Sequence, residues 1–173
     1  YLMLAATDPV NSGISAGLAW TKWQDNAGEF QNFAASFTLS EGVHLLAYQS
    51  QDRVDNLETL KSTTVLVDVA GPMAGISYGT PTFVSLDGSR YLSPAAVVTL
   101  RADDPALDAQ TPGSGIAGIE TNLDHGGFKQ AASTMSFSAG LHSLGYLAID
   151  HVGNMGPAGT TTDRPSMGSG TRL

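Results

Sequence analysis

Gly42-Val43-His44-Leu45-Leu46-Ala47-Tyr48-Gln49-Ser50-Gln51-Asp52-Arg53-Val54-Asp55-Asn56 aligns without a gap on Gly140-Leu141-His142-Ser143-Leu144-Gly145-Tyr146-Leu147-Ala148-Ile149-Asp150-His151-Val152-Gly153-Asn154. Seven of the fifteen positions are identical (Gly, His, Leu, Tyr, Asp, Val and Asn) at a constant offset of 98. Taken alone, the first copy invites another reading. Residues 43–70 contain no Gly or Pro, and Val54, Leu57 and Leu60 fall three apart, the spacing of an amphipathic helix. The second copy argues against it, because Gly145, Gly153 and Pro157 make a poor helix. In both copies the matched His, Leu and Tyr are two residues apart, which puts them on one face of a strand. The segment is therefore read as a strand ending in a turn, present twice.

The correspondence extends outward from this segment. Leu4-Ala5-Ala6-Thr7-Asp8-Pro9 matches Leu100-Arg101-Ala102-Asp103-Asp104-Pro105, and Ser12-Gly13-Ile14 matches Ser114-Gly115-Ile116 after a six-residue insertion. Gly28-Glu29-Phe30 answers Gly126-Gly127-Phe128, and Phe37 answers Phe137. Each copy reads as an apolar strand, an Asp-Pro loop, a strand, a Gly turn, a short strand, a further strand, a second Gly turn, the long strand and an Asp-x-x-x-Asn turn. Leu57–Val67 adds a last strand to copy one. Short strands about ten residues apart, broken by Gly, Pro, Asn and Asp, favour an antiparallel sandwich. The expected organisation is all-β: a sandwich repeat over 1–68, a linker at 69–75, a second repeat over 76–163, and a tail or further linker at 164–173. Residues 76–96 can form a first strand for copy two that copy one lacks. The first repeat is thus expected to miss its N-terminal strand, as an excerpt from a longer array would.

Composition narrows the function. The 173 residues carry 16 acidic and 8 basic side chains, a formal charge of −8. That balance argues against nucleic-acid binding, which needs a basic face, and against attraction to anionic lipid. No apolar run reaches the ~18 residues that suggest membrane insertion. With 20 Gly and 8 Pro the chain exceeds the usual share of roughly 12%, while only 14% of residues are charged, too few for long solvated helices. The absence of cysteine excludes a disulfide framework, thiolate catalysis and cysteine-ligated zinc.

With the repeat laid out, Leu-x-Ala-x-Asp, Ser-Gly-Ile, Gly-x-His-x-Leu-x-Tyr and Asp150-His151-Val152-Gly153-Asn154 resemble the bacterial immunoglobulin-like and fibronectin-III-like tandem repeats. Copy one departs from the pattern with Asp55 in place of Gly. Copy two departs at Gly156-Pro157-Ala158-Gly159-Thr160, which lacks the apolar alternation of a last strand. The resemblance implies tandem immunoglobulin-like sandwiches strung along surface proteins, adhesins and large secreted hydrolases. It specifies a fold and no chemistry.

Strings of catalytic type occur in contexts that do not suit them. Gly13-Ile14-Ser15-Ala16-Gly17 and Gly75-Ile76-Ser77-Tyr78-Gly79 spell a nucleophile elbow, which needs a strand before the serine and a helix after it. Gly113-Ser114-Gly115-Ile116-Ala117-Gly118 spells a dinucleotide fingerprint, whose pyrophosphate sits on a helix N-terminus. Neither precedes a helical pattern. His44 and His142 open the long strands, where a ring N–H bonded back to the preceding loop is the structural reading. Zinc would need further ligands, and His151 lies about 30 Å from His142 along an extended strand. Trp20 alternates in phase with Leu18 and is expected in the core, with Trp23 on the other face or in the turn. A sugar-stacking Trp is the functional alternative.

The acidic residues are the remaining site candidates. Sandwich topology brings Asp8 towards Asp52, Asp55 and Asn56, and Asp103 and Asp104, with Asp108 nearby, towards Asp150 and Asn154. Calcium takes roughly six to eight oxygens and suits such a cluster. The competing reading, which outweighs it, has these Asp and Asn side chains capping their own turns. No other cofactor is implied. The function expected is a non-catalytic structural or adhesive repeat of an extracellular or cell-surface bacterial protein. A carbohydrate-binding accessory module of a secreted enzyme is the alternative. The partners expected are neighbouring copies or adjacent repeats joined by strand addition, with 155–173 or 76–96 packing near 1–8 in a filament, and cell-surface glycan.

Overall fold

The computed structural model describes residues 1–165, and among them every regular element is a β-strand. No helix among the described residues is long and apolar enough to cross a membrane. The chain divides into two compact units, one from Tyr1 to Asp68 and one beginning at Val69.

The first unit contains β1 (Leu18–Asp25), β2 (Gln31–Asn32), β3 (Gly42–Asp52) and β4 (Lys61–Val67) in one antiparallel sheet of order β2-β1-β3-β4. Strand β3 carries the repeated segment. His44, Leu46, Ser50 and Asp52 are buried with half-buried Tyr48 in phase between them, as one covered face of a sheet requires, and Ala47 is buried on the other face. Leu2, Leu4, Ala6 and Asp8 are half-buried and alternate with exposed neighbours. This segment is tied down by a two-bond bridge, Leu2 N–H to Phe37 O at 2.8 Å and Phe37 N–H to Leu2 O at 3.1 Å. Val54, Leu57 and Leu60, whose spacing imitates a helix, lie outside the strands and are each more than half exposed.

The second unit is a two-layer sandwich. It contains β5 (Met73–Tyr78), β6 (Thr82–Val84), β7 (Arg90–Leu92), β8 (Val98–Asp103), β9 (Ile116–Leu123), β10 (Lys129–Gln130), β11 (Thr134–Met135), β12 (His142–Asp150) and β13 (Gly159–Pro165). One sheet has the order β10-β9-β12-β13-β7-β6 and the other β11-β8-β5. Leu92, Ala96, Val98, Phe137 and Leu144 form the core between them, flanked by Ile76, Tyr78, Met135 and Tyr146.

Several expectations are corrected by this arrangement. Met73–Gly75, assigned to a linker, already belong to β5 and pair with Arg101–Asp103. The single first strand expected over 76–96 is three strands in two sheets. Close backbone approach at Gly79, where a Cβ would meet Val97 O at 2.8 Å, ends β5, and a turn through Gly88 at φ +83° joins β6 to β7. The sandwich is not wholly antiparallel, because β13 runs parallel to β7. Strand β13 forms without apolar alternation, since main-chain bonds to β12 define it. Arg164 and Pro165, assigned to the tail, end that strand, and residues 166–173 lie outside the described residues.

The register of the repeat also changes in detail. Leu2 pairs with Phe37 as Val98 pairs with Met135, so Met135, not Phe137, is the counterpart of Phe37. Gly17 (φ +77°) and Gly115 (φ +83°) each accept the N–H of the residue just before the Val of the turn, from Arg53 and His151. Gly115 therefore answers Gly17 rather than Gly13, and the six-residue insertion shrinks to two. Trp20 is not a core residue. A bulge between Leu18 and Trp20 shifts the pairing phase, so Leu18 lies opposite Asp52 while Trp20 lies opposite Gln51. Trp23, opposite Tyr48, takes the inner position and stacks on Phe37 at 3.8 Å between centroids.

The turn after the long strand shows what the glycines contribute. Gly153 adopts φ +94° with open space where a Cβ would stand, and Asp55 holds the same position in the first unit at φ +68°. Three residues on, a Cβ on Gly156 would lie 1.7 Å from Pro72 O. Gly153→Ala is therefore expected to cost the second unit about 1 kcal/mol, a purely conformational penalty. Gly156→Ala is expected to cost more, because backbone must move. Urea denaturation of the two variants checks the order, and equal losses would contradict it.

Candidate functional site

The polar side chains that recur are concentrated at the two ends of the long strand. At its start, His44 Nδ1 lies 2.7 Å from Asp25 Oδ2 and Nε2 lies 3.0 Å from Ser40 O. The second unit repeats this with His142, Asp124 Oδ2 at 2.8 Å and Ser138 O at 3.1 Å. A carboxylate and a carbonyl only accept, so in His142 the full set of bonds is made when both ring nitrogens carry a proton. The Asp124 hydrogen bond raises the His142 pKa above its usual 6.5, against the opposing effect of burial. The same bond, with one from Ser143 N–H, lowers the Asp124 pKa.

The acid of this clasp was invisible to the repeat comparison. At the constant offset, Asp25 falls against Leu123 and Asn26 against Asp124. In the first unit two residues share the work: Asp25 takes the histidine, and Asn26 Oδ1 takes Leu45 N–H at 2.9 Å. In the second, Asp124 does both, accepting Ser143 N–H on Oδ1 at 2.9 Å. Asn26 and Asp124 share left-handed backbone, at φ +52° and +50°. The division leaves Asp25 Oδ1 buried without a partner among the described residues.

At the other end, Asp52 Oδ1 accepts the N–H groups of Val54 and Asn56, both at 2.9 Å, and Oδ2 accepts Asn56 Nδ2 at 2.7 Å. Asp150 does the same with Val152 and Asn154 at 3.0, 2.7 and 2.7 Å. The side-chain bond from Asn56 is the main cause of a lowered Asp52 pKa. Burial pushes Asp150, 2% exposed, upward, and the donors of Asn154, Gly153 and Val152 outweigh it to leave its pKa lowered. Asp8 Oδ2 accepts Ser15 Oγ–H at 2.6 Å and Gly17 N–H at 2.8 Å; Asp104 Oδ2 accepts Gly115 N–H at 2.6 Å.

Among the eight residues considered for calcium, Asp8, Asp52 and Asn56 line one cavity of about 400 Å³ in the first unit. Asp104 and Asp150 bring carboxylate oxygens within 4.8 Å of each other in the second. Asp55 accepts Gln51 Nε2 at 3.0 Å, and Asp103 is exposed on β8. Asp108 caps its own loop, and its pKa is lowered by the N–H groups of Gln110 and Thr111. The bonds in place are those of turn capping.

The strings of catalytic type do not meet their structural conditions. Ser77 lies inside β5, Gly113–Gly118 runs directly into β9, and Ser15 is bound to Asp8. The structure does assemble a serine, a histidine and an aspartate that the sequence spacing gave no reason to group. Ser138 Oγ lies 3.3 Å from Nε2 of His142, whose other nitrogen meets Asp124. Such a histidine must be neutral to take the serine proton, whereas Asp124 favours the protonated ring here and Nε2 also faces Ser138 O, which only accepts. The arrangement clasps a turn.

No protein-family model matches the chain, and no curated protein does. Among solved structures it is similar to the fibronectin(III)-like modules of CbhA from Clostridium thermocellum, at 12% identity and a TM-score of 0.37, over 95% of this chain and 82% of that one. The functional reading therefore rests on the chain's own geometry.

The clasp predicts a pH dependence. The folded-state pKa of His142 exceeds the unfolded one, so its contribution is complete below about 6.5 and is lost as pH rises through the folded value. Asp124, held low, contributes above about 4 and loses its share as pH falls. The stability gap between the native chain and His142→Gln is expected to be larger near pH 5.5 than near pH 8.5. Denaturation followed through the second unit's NMR signals measures it, and a gap independent of pH would contradict the charged clasp.

Proposed function

We propose that this chain is a non-catalytic structural repeat of an extracellular bacterial surface protein, serving as a spacer or adhesive module. The observation that supports this reading is the duplication of one framework. The histidine clasp, the capped Asp-Asn turn, and the Asp8–Gly17–Arg53 and Asp104–Gly115–His151 links each occur once per unit. Units repeated in this way suit a load-bearing or distance-setting role, and a net charge of −8 favours solubility.

A glycan-binding module is favoured less, because it needs an open aromatic face. Trp23 is stacked on Phe37, and Lys22 Nζ covers the Trp20 ring at 4.5 Å. On the spacer reading, a calcium ion would sit at the Asp104–Asp150 end of the second unit. There Asp104 Oδ1 is buried without a partner among the described residues. Such an ion would stiffen that end and leave the fold unchanged.

Antibody raised against the chain is expected to label intact cells of the source bacterium, and label appearing only after permeabilisation would contradict the surface role. Pulled between its ends, the chain is expected to unfold in two separate steps, the first unit releasing about 20 nm from its 68 residues. One all-or-none step would contradict a spacer of independent modules.

A further inference from the structure

The six-stranded sheet of the second unit ends in two unlike edges. At one, β10 is Lys129–Gln130, and a lysine on an edge strand discourages further pairing. At the other, β6 is Thr82-Phe83-Val84, uncharged and built from residue types that favour strands. Among the described residues nothing pairs with the outer side of β6. Phe83 is 64% exposed and Val84 49%, and Leu86 in the turn that follows is fully exposed.

The hydrogen-bond phase of the β6–β7 hairpin fixes which main-chain groups are open. Ser93 N–H bonds Pro81 O at 3.0 Å, and Ser85 N–H bonds Ser89 O at 2.9 Å. The register between them is Thr82↔Leu92, Phe83↔Tyr91 and Val84↔Arg90. Phe83 therefore turns its main chain towards β7, while Thr82 and Val84 turn theirs to the open side, each presenting an N–H and a C=O. The side chains alternate with the same period. Leu92 is buried in the core, so Thr82, opposite it, faces the core side. Phe83 and Tyr91 share the outer face, with ring centroids 6.2 Å apart.

Such a row of open groups is complementary to itself. We propose that β6 is a dimerisation edge, at which two copies of this chain join by antiparallel pairing about a two-fold axis through Phe83. Thr82 of one copy then faces Val84 of the other, twice over, and the two pairs exchange four main-chain hydrogen bonds. Phe83 faces its own symmetry mate as a non-hydrogen-bonded pair, with Cα atoms about 4.5 Å apart. The Phe83 and Tyr91 rings of both copies line up in one aromatic stripe across the join. Each β6 keeps its pairing with β7, so neither copy gives up a bond to make the contact. Charge favours a second copy at this place. The whole chain carries −8, which sets two copies against each other, but residues 79–97 hold one acid and one base, Asp87 and Arg90. The contact is isologous and closes on itself, giving a dimer and no filament. This inference concerns an edge of the second unit and stands whether or not the protein is extracellular.

The test follows the full chain by sedimentation equilibrium between about 10 μM and 1 mM, the range in which a small interface associates. Reversible dimerisation is expected, with the Thr82 and Val84 amides shifting in the NMR spectrum as concentration rises. Phe83→Lys sets two like charges face to face and is expected to weaken the dimer about tenfold or more. Unchanged NMR signals from Val98, Phe137 and Leu144 establish that the core of this variant is intact. The chain has no cysteine, so a single introduced thiol reads the register. Phe83→Cys places two thiols across the axis within disulfide reach. The same register holds the thiols of Leu86→Cys about 20 Å apart along the strands. Under mild oxidation Phe83→Cys is expected to link two copies about tenfold faster than Leu86→Cys, or more. A chain that stays monomeric up to about 1 mM overturns the proposal. So does a dimer undiminished by Phe83→Lys, or Leu86→Cys linking as fast as Phe83→Cys.

Discussion

A histidine held between a carboxylate and a backbone carbonyl begins each long strand, and a carboxylate filled by its own turn ends it. That strand lies inside the sheet that carries it, with a strand paired on each side. β3 holds β1 and β4, and β12 holds β9 and β13. A sheet with one covered face has a strict register, because a slip of one residue turns every side chain over. Pinning both ends of the central strand fixes that register before any core residue is chosen. The two ends are also chemically complementary. At one, a ring with two nitrogens lies between acceptors; at the other, a carboxylate is surrounded by N–H donors.

The parts of this scheme legible in the sequence are those in which one residue type is irreplaceable. A ring with two opposed nitrogens is needed for the clasp, and an Asp–Asn pair spaced four apart is needed for the turn, so His44, Asp52 and Asn56 recur as His142, Asp150 and Asn154. The acid that meets the histidine was not legible. Its position tolerates a shift of one residue, with Asp25 reaching from the strand in one unit and Asp124 from the following turn in the other. The place of Trp20 was misread because a bulge, which changes the inward phase, leaves no mark in hydrophobic alternation. Strand β13 was underestimated because its side chains carry no pattern, and pairing with β12 and β7 supplies what the pattern does not.

The units share a frame and differ in how well it is filled. The six largest fully buried side chains, Leu92, Leu100, Leu144, Val98, Asp150 and Pro72, all belong to the second unit. Two of them, Val98 and Leu100, come from β8, the strand flanked on both sides. The first unit relies on Leu46 and Ala47, the Trp23–Phe37 stack and its polar clamps.

His142 and Asp124 act as one unit, and a double-mutant cycle on that pair tests this most directly. His142→Gln, Asp124→Asn and the double variant are compared with the native chain in urea near pH 6, where both groups are charged. The account predicts that the double variant is scarcely less stable than either single one, since removing either partner already breaks the clasp. Losses that simply add would show that the two side chains stabilise the fold independently, and would contradict it.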